Sequence, residues 1–218
     1  MPVGTILASG WASGLNLYGT VFLLGVSGRL GWAETPSQLQ STGVLVAMGA
    51  LYALEFVVDK VPWLDSGWDA AHTVIRPLGG ALMCGLLAHD AGSSTSIAAL
   101  VGGTFSLSAH GAKASTRALA NTSPEPVSNV VLSLGEDGIV AAMIALALAY
   151  PAVAGVVAVV LFLVCIGVTW IVWRTLRRLR ERWRGRRRRN RAEGTDRFGG
   201  IGGDTGSGGV VGEPGGER

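Results

Sequence analysis

The chain has 218 residues, of which 49% are hydrophobic and only 15% are charged. This composition is too apolar for an ordinary soluble domain and indicates a membrane protein. Residues 1–173 carry five Lys or Arg against nine Asp or Glu, a net charge of −4, whereas residues 174–218 carry thirteen Arg against six acids, a net charge of +7. The sequence therefore predicts an acidic membrane domain followed by a basic tail.

Six apolar segments predict an all-α integral membrane protein with about six transmembrane helices. Their approximate bounds are 4–28, 42–59, 68–89, 94–118, 124–149 and 152–173. In the first segment, Gly10 and Gly14 form a GxxxG pair, the spacing that lets two helices approach closely in lipid. A break near Ser13–Gly14 would place irregular backbone at membrane depth, where it must face protein or water.

Local signals predict where two of these helices begin and where one bends. Ser66 and Asp69 have the spacing of a capping box that would open the third helix. Pro77 should kink that helix just after Arg76, because proline removes a backbone donor and clashes with the preceding turn. The pair Ser123–Pro124 predicts the start of the fifth helix.

The basic tail divides into two parts. Residues 174–193 form an Arg-rich segment, with eleven Arg and one Glu between Arg174 and Arg191. Such a run next to a membrane span predicts binding to anionic lipid headgroups, whereas nucleic acid is a less favoured partner because no aromatic platform accompanies the arginines. Residues 194–218 are Gly-rich and lack periodicity, which predicts disorder. The predicted headgroup ligands are Arg174, Arg177, Arg178, Arg186, Arg187, Arg188 and Arg189.

Topology follows from the placement of the basic residues. Arginines directly after the last span predict a cytoplasmic C-terminus, and six spans then place the N-terminus on the same side. Residues 4–90 and 94–173 each contain three spans with a glutamate in the second, Glu55 and Glu136. This pattern is typical of the two inverted repeats found in many secondary transporters.

Ionisable residues within apolar segments predict a functional site, because they are costly in a membrane and persist mainly where they pair, line a wet cavity or do chemistry. Asp65, Asp69, His72 and Arg76 share one helical face by their spacing, as do His110, Lys113 and Arg117. Glu136 and Asp137 fall near the middle of the fifth segment. The predicted transport or ligand-binding residues are Glu55, Asp59, Asp69, His72, Arg76, His110, Lys113, Arg117, Glu136 and Asp137.

Two of these positions allow more than one interpretation. Glu136 either forms a salt bridge with Lys113 or Arg117, or lies as a protonatable group in a polar cavity. The cavity is slightly favoured, because the adjacent acids point about 100° apart and cannot share one partner. Asp65 and Asp69 have the DxxxD spacing that could hold a divalent metal, although helix capping explains them nearly as well.

Four stretches carry a resemblance to a known family. They are SGLNLYGT (13–20), EFVVDKVPWLDSGWDAAHTVIRPLGGA (55–81), SAHGAKASTRALANTSPEPVSN (108–129) and the pair Glu136–Asp137. Together they resemble a bacterial family of small integral membrane proteins catalogued as domain of unknown function 4126, over about residues 8–170. The resemblance implies a multi-pass protein of the bacterial inner membrane and supplies no mechanism.

The favoured function is a transporter or channel for a small polar solute or ion. One alternative is a membrane-embedded enzyme that acts on a phosphorylated lipid, with a divalent metal at Asp65 and Asp69. Another is a structural membrane adaptor that works through its basic tail. No nucleophile triad, phosphate-binding loop or zinc-ligand cluster occurs in the sequence, so no cofactor is predicted and an enzyme is disfavoured. A homo-oligomer remains open.

Overall fold

The computed structural model describes residues 1–120 and 126–199. Within these ranges, the side chains of residues 62, 63, 65, 66, 120, 126–129, 179, 180 and 182–199 lie outside the description. All regular elements of the described residues are helices, which confirms the predicted all-α class. The helices are α1 (Val3–Leu15), α2 (Leu17–Arg29), α3 (Ser37–Gln40), α4 (Thr42–Val58), α5 (Pro62–Asp90), α6 (Thr95–Ala120), α7 (Pro126–Ala149) and α8 (Pro151–Gly199).

Three helical stretches are long and apolar enough to cross a membrane, and the protein is therefore a helical membrane protein. These stretches are Gly67–Asp90 in α5, Val130–Ala149 in α7 and Pro151–Arg178 in α8. Helix α4 is apolar but shorter. Helices α1 and α2 have 13 residues each, and α6 is rich in small and polar residues. The count of six spans therefore stays a prediction.

The first apolar segment consists of two short helices separated by one residue. Asn16 has an extended backbone, with φ −148° and ψ 101°, between the end of α1 and the start of α2. Its side-chain oxygen accepts a hydrogen bond of 2.7 Å from the backbone N–H of Gly19, so Asn16 is the N-cap of α2. A break was predicted slightly earlier, near Ser13–Gly14; it falls at Asn16 because asparagine can supply the cap.

Helix α1 lies at the centre of the bundle, where it contacts α2, α5, α6 and α7. Residues 8–15 are all buried. An added Cβ would come within 2.9 Å of the Cα of Gly102 at Gly10, and would overlap the carbonyl of Ser106 at Gly14. The predicted close approach through these two glycines is confirmed, and α6 is the partner helix.

Residues Met1–Trp173 form one compact unit, and a second unit begins at Arg174. Within the first unit, α8 packs through its N-terminal half. Gly155 contacts Gly4 of α1 closely, and Phe162 stacks on Phe105 of α6 with ring centroids 4.4 Å apart. This half of α8 also supplies buried residues to the core, namely Ala154, Ala158 and Cys165.

Three local predictions concern the start of α5, the position of Pro77 and the start of α7. The capping box at Ser66 and Asp69 is wrong, because α5 already begins at Pro62, a residue well suited to the first helical position. Pro77 lies inside α5, which continues to Asp90. The predicted start at Ser123–Pro124 lies outside the described residues.

Helix α8 continues through the Arg-rich segment to Gly199. It therefore includes residues 194–199, the beginning of the segment predicted to be disordered. Arginine is a good helix former, and no proline interrupts the sequence between Arg174 and Gly199. Residues 200–218 lie outside the described residues, and their disorder stays a prediction.

Candidate functional site

Seven charged side chains from four helices lie together in the interior. We call them the ion-pair cluster. Its members are Glu55 and Asp59 from α4 and its C-cap, Asp69 and Arg76 from α5, Lys113 and Arg117 from α6, and Glu136 from α7. Every member was predicted from the sequence. The pairs on α4, α5 and α6 were predicted from their helical spacing, and Glu136 from its position near the middle of the fifth segment. Glu55 and Arg76 are completely buried.

The guanidinium of Arg76 joins α5 to three neighbouring helices. Its Nη2 pairs with the carboxylate of Glu55. Its Nη1 donates to Nδ1 of His110 at 2.8 Å and to the carbonyl of Gly14 at 3.2 Å, and lies 3.7 Å from a carboxylate oxygen of Asp69. The Gly14 carbonyl is available because α1 ends at Leu15, which leaves its last carbonyls without helical donors.

The ammonium of Lys113 is surrounded by four oxygens. Nζ lies 2.9 Å from Asp59 Oδ2, 3.1 Å from Glu136 Oε2 and 3.5 Å from Glu55 Oε1. The fourth oxygen is the backbone carbonyl of Leu15 at 3.1 Å, another carbonyl at the end of α1. The negative end of the α1 dipole adds to the attraction, because a helix C-terminus favours cations.

Arg117 pairs with two of the three acids that surround Lys113. Its Nη2 lies 2.8 Å from Asp59 Oδ2 and 2.6 Å from Glu136 Oε2. Glu136 thus forms salt bridges with both Lys113 and Arg117. This is the first of the two predicted alternatives, and the polar cavity that the sequence slightly favoured is wrong. The reason is proximity: α6 presents both cations on the face that meets α7.

Asp137 points elsewhere, as expected for a residue adjacent to Glu136 on a helix. Its Oδ1 accepts a hydrogen bond of 3.0 Å from the side-chain amide of Asn16, the residue at the helix break. Its Oδ2 is buried and has no hydrogen-bond partner among the described residues. Asp137 therefore has a neutral partner, in contrast to Glu136.

His72 has partners that allow it to gain or lose a proton. Nδ1 lies 2.8 Å from the carbonyl of Trp68, which can only accept, so Nδ1 carries the hydrogen. Nε2 lies 2.9 Å from the hydroxyl of Tyr18. A hydroxyl can donate to a neutral imidazole or accept from a protonated one, so both states of His72 are satisfied.

His110 is fixed in one neutral state by its partners. Its Nδ1 faces Nη1 of Arg76, which can only donate, so Nδ1 must accept. Its Nε2 then carries the hydrogen and donates to Oγ1 of Thr73 at 3.2 Å. The two histidines, both predicted site residues, thus have different capacities for proton binding.

A comparison with protein families matches residues 3–171 to the family described as Domain of unknown function (DUF4126). The chain belongs to this family. The match confirms the resemblance found in the sequence. The DUF4126 region contains the whole ion-pair cluster and ends before the Arg-rich segment. Comparisons with curated proteins and with solved structures give no match.

Among the described residues of the DUF4126 region, interior acids outnumber interior cations. Five described carboxylates, those of the ion-pair cluster and Asp137, face three cations, which leaves a net charge of −2 when all of these groups are ionised and both histidines are neutral. Lys60 lies nearby but donates to the carbonyl of Phe56, with Nζ over its ring. The buried carboxylate oxygens without a hydrogen-bond partner among the described residues are Glu55 Oε2, Asp59 Oδ1, Asp69 Oδ1 and Asp137 Oδ2.

The remaining predicted ligands of the DUF4126 protein are only partly described. The side chain of Asp65 lies outside the description, and Asp69 lies beside Arg76. Among the described residues, no group of three or more His, Cys, Asp or Glu is arranged to hold a metal ion. In the Arg-rich segment, Arg174, Arg177 and Arg178 are exposed, and Arg177 Nε lies 3.4 Å from Glu181. The side chains of residues 186–189 lie outside the description.

The sequence missed several polar groups that complete the site. Asn16 and Tyr18 bind Asp137 and His72. Thr73 binds His110, and the carbonyls of Gly14 and Leu15 bind Arg76 and Lys113. An asparagine and a tyrosine within an apolar segment were the available signal for the first two. The backbone carbonyls could be found only once the end of α1 was known.

Proposed function

We propose that this protein is a transporter or channel for a small polar solute or ion, and that its buried carboxylates bind a proton or a cation. The observation that carries the proposal is the excess of two carboxylates over cations among the described interior residues, with four buried carboxylate oxygens that lack hydrogen-bond partners there. Uncompensated buried charge costs several kcal/mol, whereas protonation or a bound cation removes that cost. The site therefore favours the binding of positive charge.

The helix break supports the same proposal. Discontinuous helices at membrane depth are typical of transporters, where their ends bind ions and charged groups. In this protein the end of α1 binds Arg76 and Lys113, and the cap of α2 binds Asp137. Asp137 is half-buried, whereas Glu55 is fully buried. An ion that enters the site at Asp137 therefore meets more deeply buried acids next.

The convergence of Glu55 and Glu136 on Lys113 supports the proposed pair of inverted repeats. These glutamates occupy corresponding helices of residues 4–90 and 94–173. In such repeats the binding site lies at the interface between the halves. We propose six spans in the bacterial inner membrane, with both termini in the cytoplasm and the exposed arginines at the start of the Arg-rich segment on anionic lipid.

Flux into liposomes tests the proposal. We expect purified wild-type protein to conduct protons or monovalent cations, and Asp137→Asn to reduce the rate about tenfold or more, since a hydrogen bond or ion contact to a charged group is worth about 1.5–3 kcal/mol. Asp90→Asn is the matched control, because Asp90 is an exposed acid at the end of α5. Folded wild-type protein without any flux, or an Asp137→Asn variant as active as wild type, would contradict the proposal.

A further inference from the structure

We infer that Asp137 and Ser133 of α7 form a binding site for the ammonium group of a small organic solute, such as an amine or an amino acid. This inference deepens the proposed function and rests on it, because it names the class of solute that the protein would carry. The site lies beside the ion-pair cluster and uses none of the carboxylates that pair with Arg76 or Arg117.

The two side chains share one face of α7, and both have unused hydrogen-bonding capacity. They are four residues apart, which places them one above the other on the helix. Ser133 is only 1% exposed, and its Oγ has no hydrogen-bond partner among the described residues. The buried Oδ2 of Asp137 also has none there. Because buried polar atoms are nearly always hydrogen-bonded in folded proteins, two such atoms on one face indicate the position of a ligand.

Asn16 at the helix break sets the orientation of the Asp137 carboxylate. The side-chain oxygen of Asn16 accepts from the backbone N–H of Gly19, so its amide nitrogen is the atom that faces Asp137. That nitrogen donates to Oδ1 of Asp137 at 3.0 Å. One carboxylate oxygen is therefore held by the protein, and the other is left for a ligand.

The two unused oxygens suit an ammonium better than a proton or a metal ion. Asp137 and Ser133 form no hydrogen bond with each other, so a proton on Oδ2 would leave the hydroxyl of Ser133 without a partner. Among the described residues, no group of three or more His, Cys, Asp or Glu is arranged to hold a metal ion. An alkylammonium has three N–H donors and a positive charge, so it can donate to both oxygens at once and neutralise the carboxylate.

Lys60 offers a partner for an acidic group on the same solute. Its Nζ lies over the ring of Phe56 and donates to the Phe56 carbonyl, which uses one of its three donors. The charge of Asp137 acts on Lys60, so the two groups lie within electrostatic range of each other. Neither forms a salt bridge with another described residue. A solute with both an ammonium and a carboxylate group would therefore pair with both side chains.

Thermal unfolding of the purified protein in detergent tests the site with two simple ions. We expect the midpoint to rise with methylammonium chloride, by about 5–10 °C when the ion exceeds its Kd about a hundredfold. Tetramethylammonium chloride at equal ionic strength should leave the midpoint unchanged, because this ion has the same charge and no N–H donor. Equal midpoints with the two ions would overturn the inference.

Substitutions in α7 should weaken the binding of methylammonium in a fixed order. We expect Asp137→Asn to raise the Kd about tenfold or more, because it removes a charged acceptor. Ser133→Ala should raise the Kd about threefold to tenfold, the usual effect of one neutral hydrogen bond. Asp90→Asn is the control and should bind as the wild type does, because Asp90 is an exposed acid at the end of α5. Wild-type affinity in Asp137→Asn would overturn the inference.

The midpoint without ligand separates a binding role of Ser133 from a structural one. Ser133→Ala removes a buried hydroxyl that has no partner among the described residues, so we expect the ligand-free variant to be at least as stable as the wild type. Its loss should appear only in the binding of methylammonium. A lower ligand-free midpoint with unchanged affinity would show that Ser133 is a structural residue and would overturn the site as stated.

Glycine distinguishes the two sources of the ammonium group. Tighter binding of glycine than of methylammonium, with the difference removed in Lys60→Gln, would assign the site to zwitterions and support the inference. Tighter binding of methylammonium, unaffected by Lys60→Gln, would assign it to simple amines and also support the inference. Absence of binding of either probe to folded wild-type protein would overturn it.

Flux of the same probes into liposomes separates this inference from the proposed function. Ion flux that depends on Asp137, in a protein that binds neither methylammonium nor glycine, would overturn the inference and leave transport standing. Binding that depends on Asp137 and Ser133, without flux of the bound probe or of any ion, would support the site and contradict transport.

Discussion

The ion-pair cluster and the helix break solve the burial of polar groups in different ways. In the cluster each cation meets two or more oxygens from other helices, as Arg117 does with Asp59 and Glu136. At the break the partners are neutral, as in the pairs Asn16–Asp137 and Tyr18–His72. Ion pairs in a dry interior are costly to break, whereas neutral partners tolerate a change of protonation. We therefore expect the cluster to fix the helices and the break to be the place where charge changes.

The strongest test of this comparison removes one cation from the cluster. Arg76→Ala leaves the carboxylate of Glu55 without its guanidinium partner, and we expect a loss of about 3–5 kcal/mol in stability. Loss of folded protein during purification would be the practical sign, measured by size-exclusion chromatography in detergent. Arg29→Ala is the control, since Arg29 is exposed and binds only the hydroxyl of Thr42 among the described residues. Similar yields of the two variants would show that the cluster does not fix the helices.

A smaller effect is expected where α1 approaches α6. A Cβ at Gly14 would overlap the carbonyl of Ser106 and lie 2.7 Å from Cβ of Ala109. We expect Gly14→Ala to cost about 1–3 kcal/mol, the usual effect of overpacking, and to shift the carbonyl that binds Arg76. The thermal midpoint in detergent measures the loss.

Gly135→Ala provides the matched comparison for that substitution. No atom lies within 4 Å of a Cβ added there, and the residue lies inside α7. Alanine should stabilise the helix by about 0.4–1 kcal/mol through its lower freedom in the unfolded chain. If both variants have the same midpoint, the close contact between α1 and α6 does not position the end of α1.

The smallest effect is expected at the break itself. Tyr18→Phe removes the hydroxyl that faces Nε2 of His72, and we expect a loss of about 1 kcal/mol, the usual net value of one hydrogen bond. The unfolding midpoint should fall by a few degrees, and Tyr150→Phe, at an exposed position, should leave it unchanged. A loss as large as that of Arg76→Ala would remove the distinction between the two regions.

Much of the architecture was predictable because apolar runs have clear ends. The predicted bounds 42–59 and 94–118 lie within a few residues of α4 and α6. The charged faces were also predictable, since spacings of three and four residues place side chains on one side of a helix. Asp69, His72 and Arg76 are accordingly all buried, as are His110, Lys113 and Arg117.

The pairing within the site could not be predicted in the same way. Whether Glu136 meets a cation or a cavity depends on the distance between α6 and α7, which no local pattern encodes. The exact position of the break was also ambiguous, because Gly14 could end one helix and Asn16 could cap the next. The start of α5 was misplaced because Ser66 and Asp69 have the spacing of a cap, whereas Pro62 begins the helix earlier.

The break at Asn16 also has a consequence for the synthesis of the chain. Helix α1 is about 20 Å long at 1.5 Å per residue, too short for a hydrocarbon core of about 30 Å. Its terminal carbonyls emerge from the ribosome well before Arg76 and Lys113, the residues that bind them. If the first segment spans the membrane as the sequence predicts, we expect these carbonyls of the nascent chain to stay hydrated, or to be held by the insertion machinery, until α6 has been made.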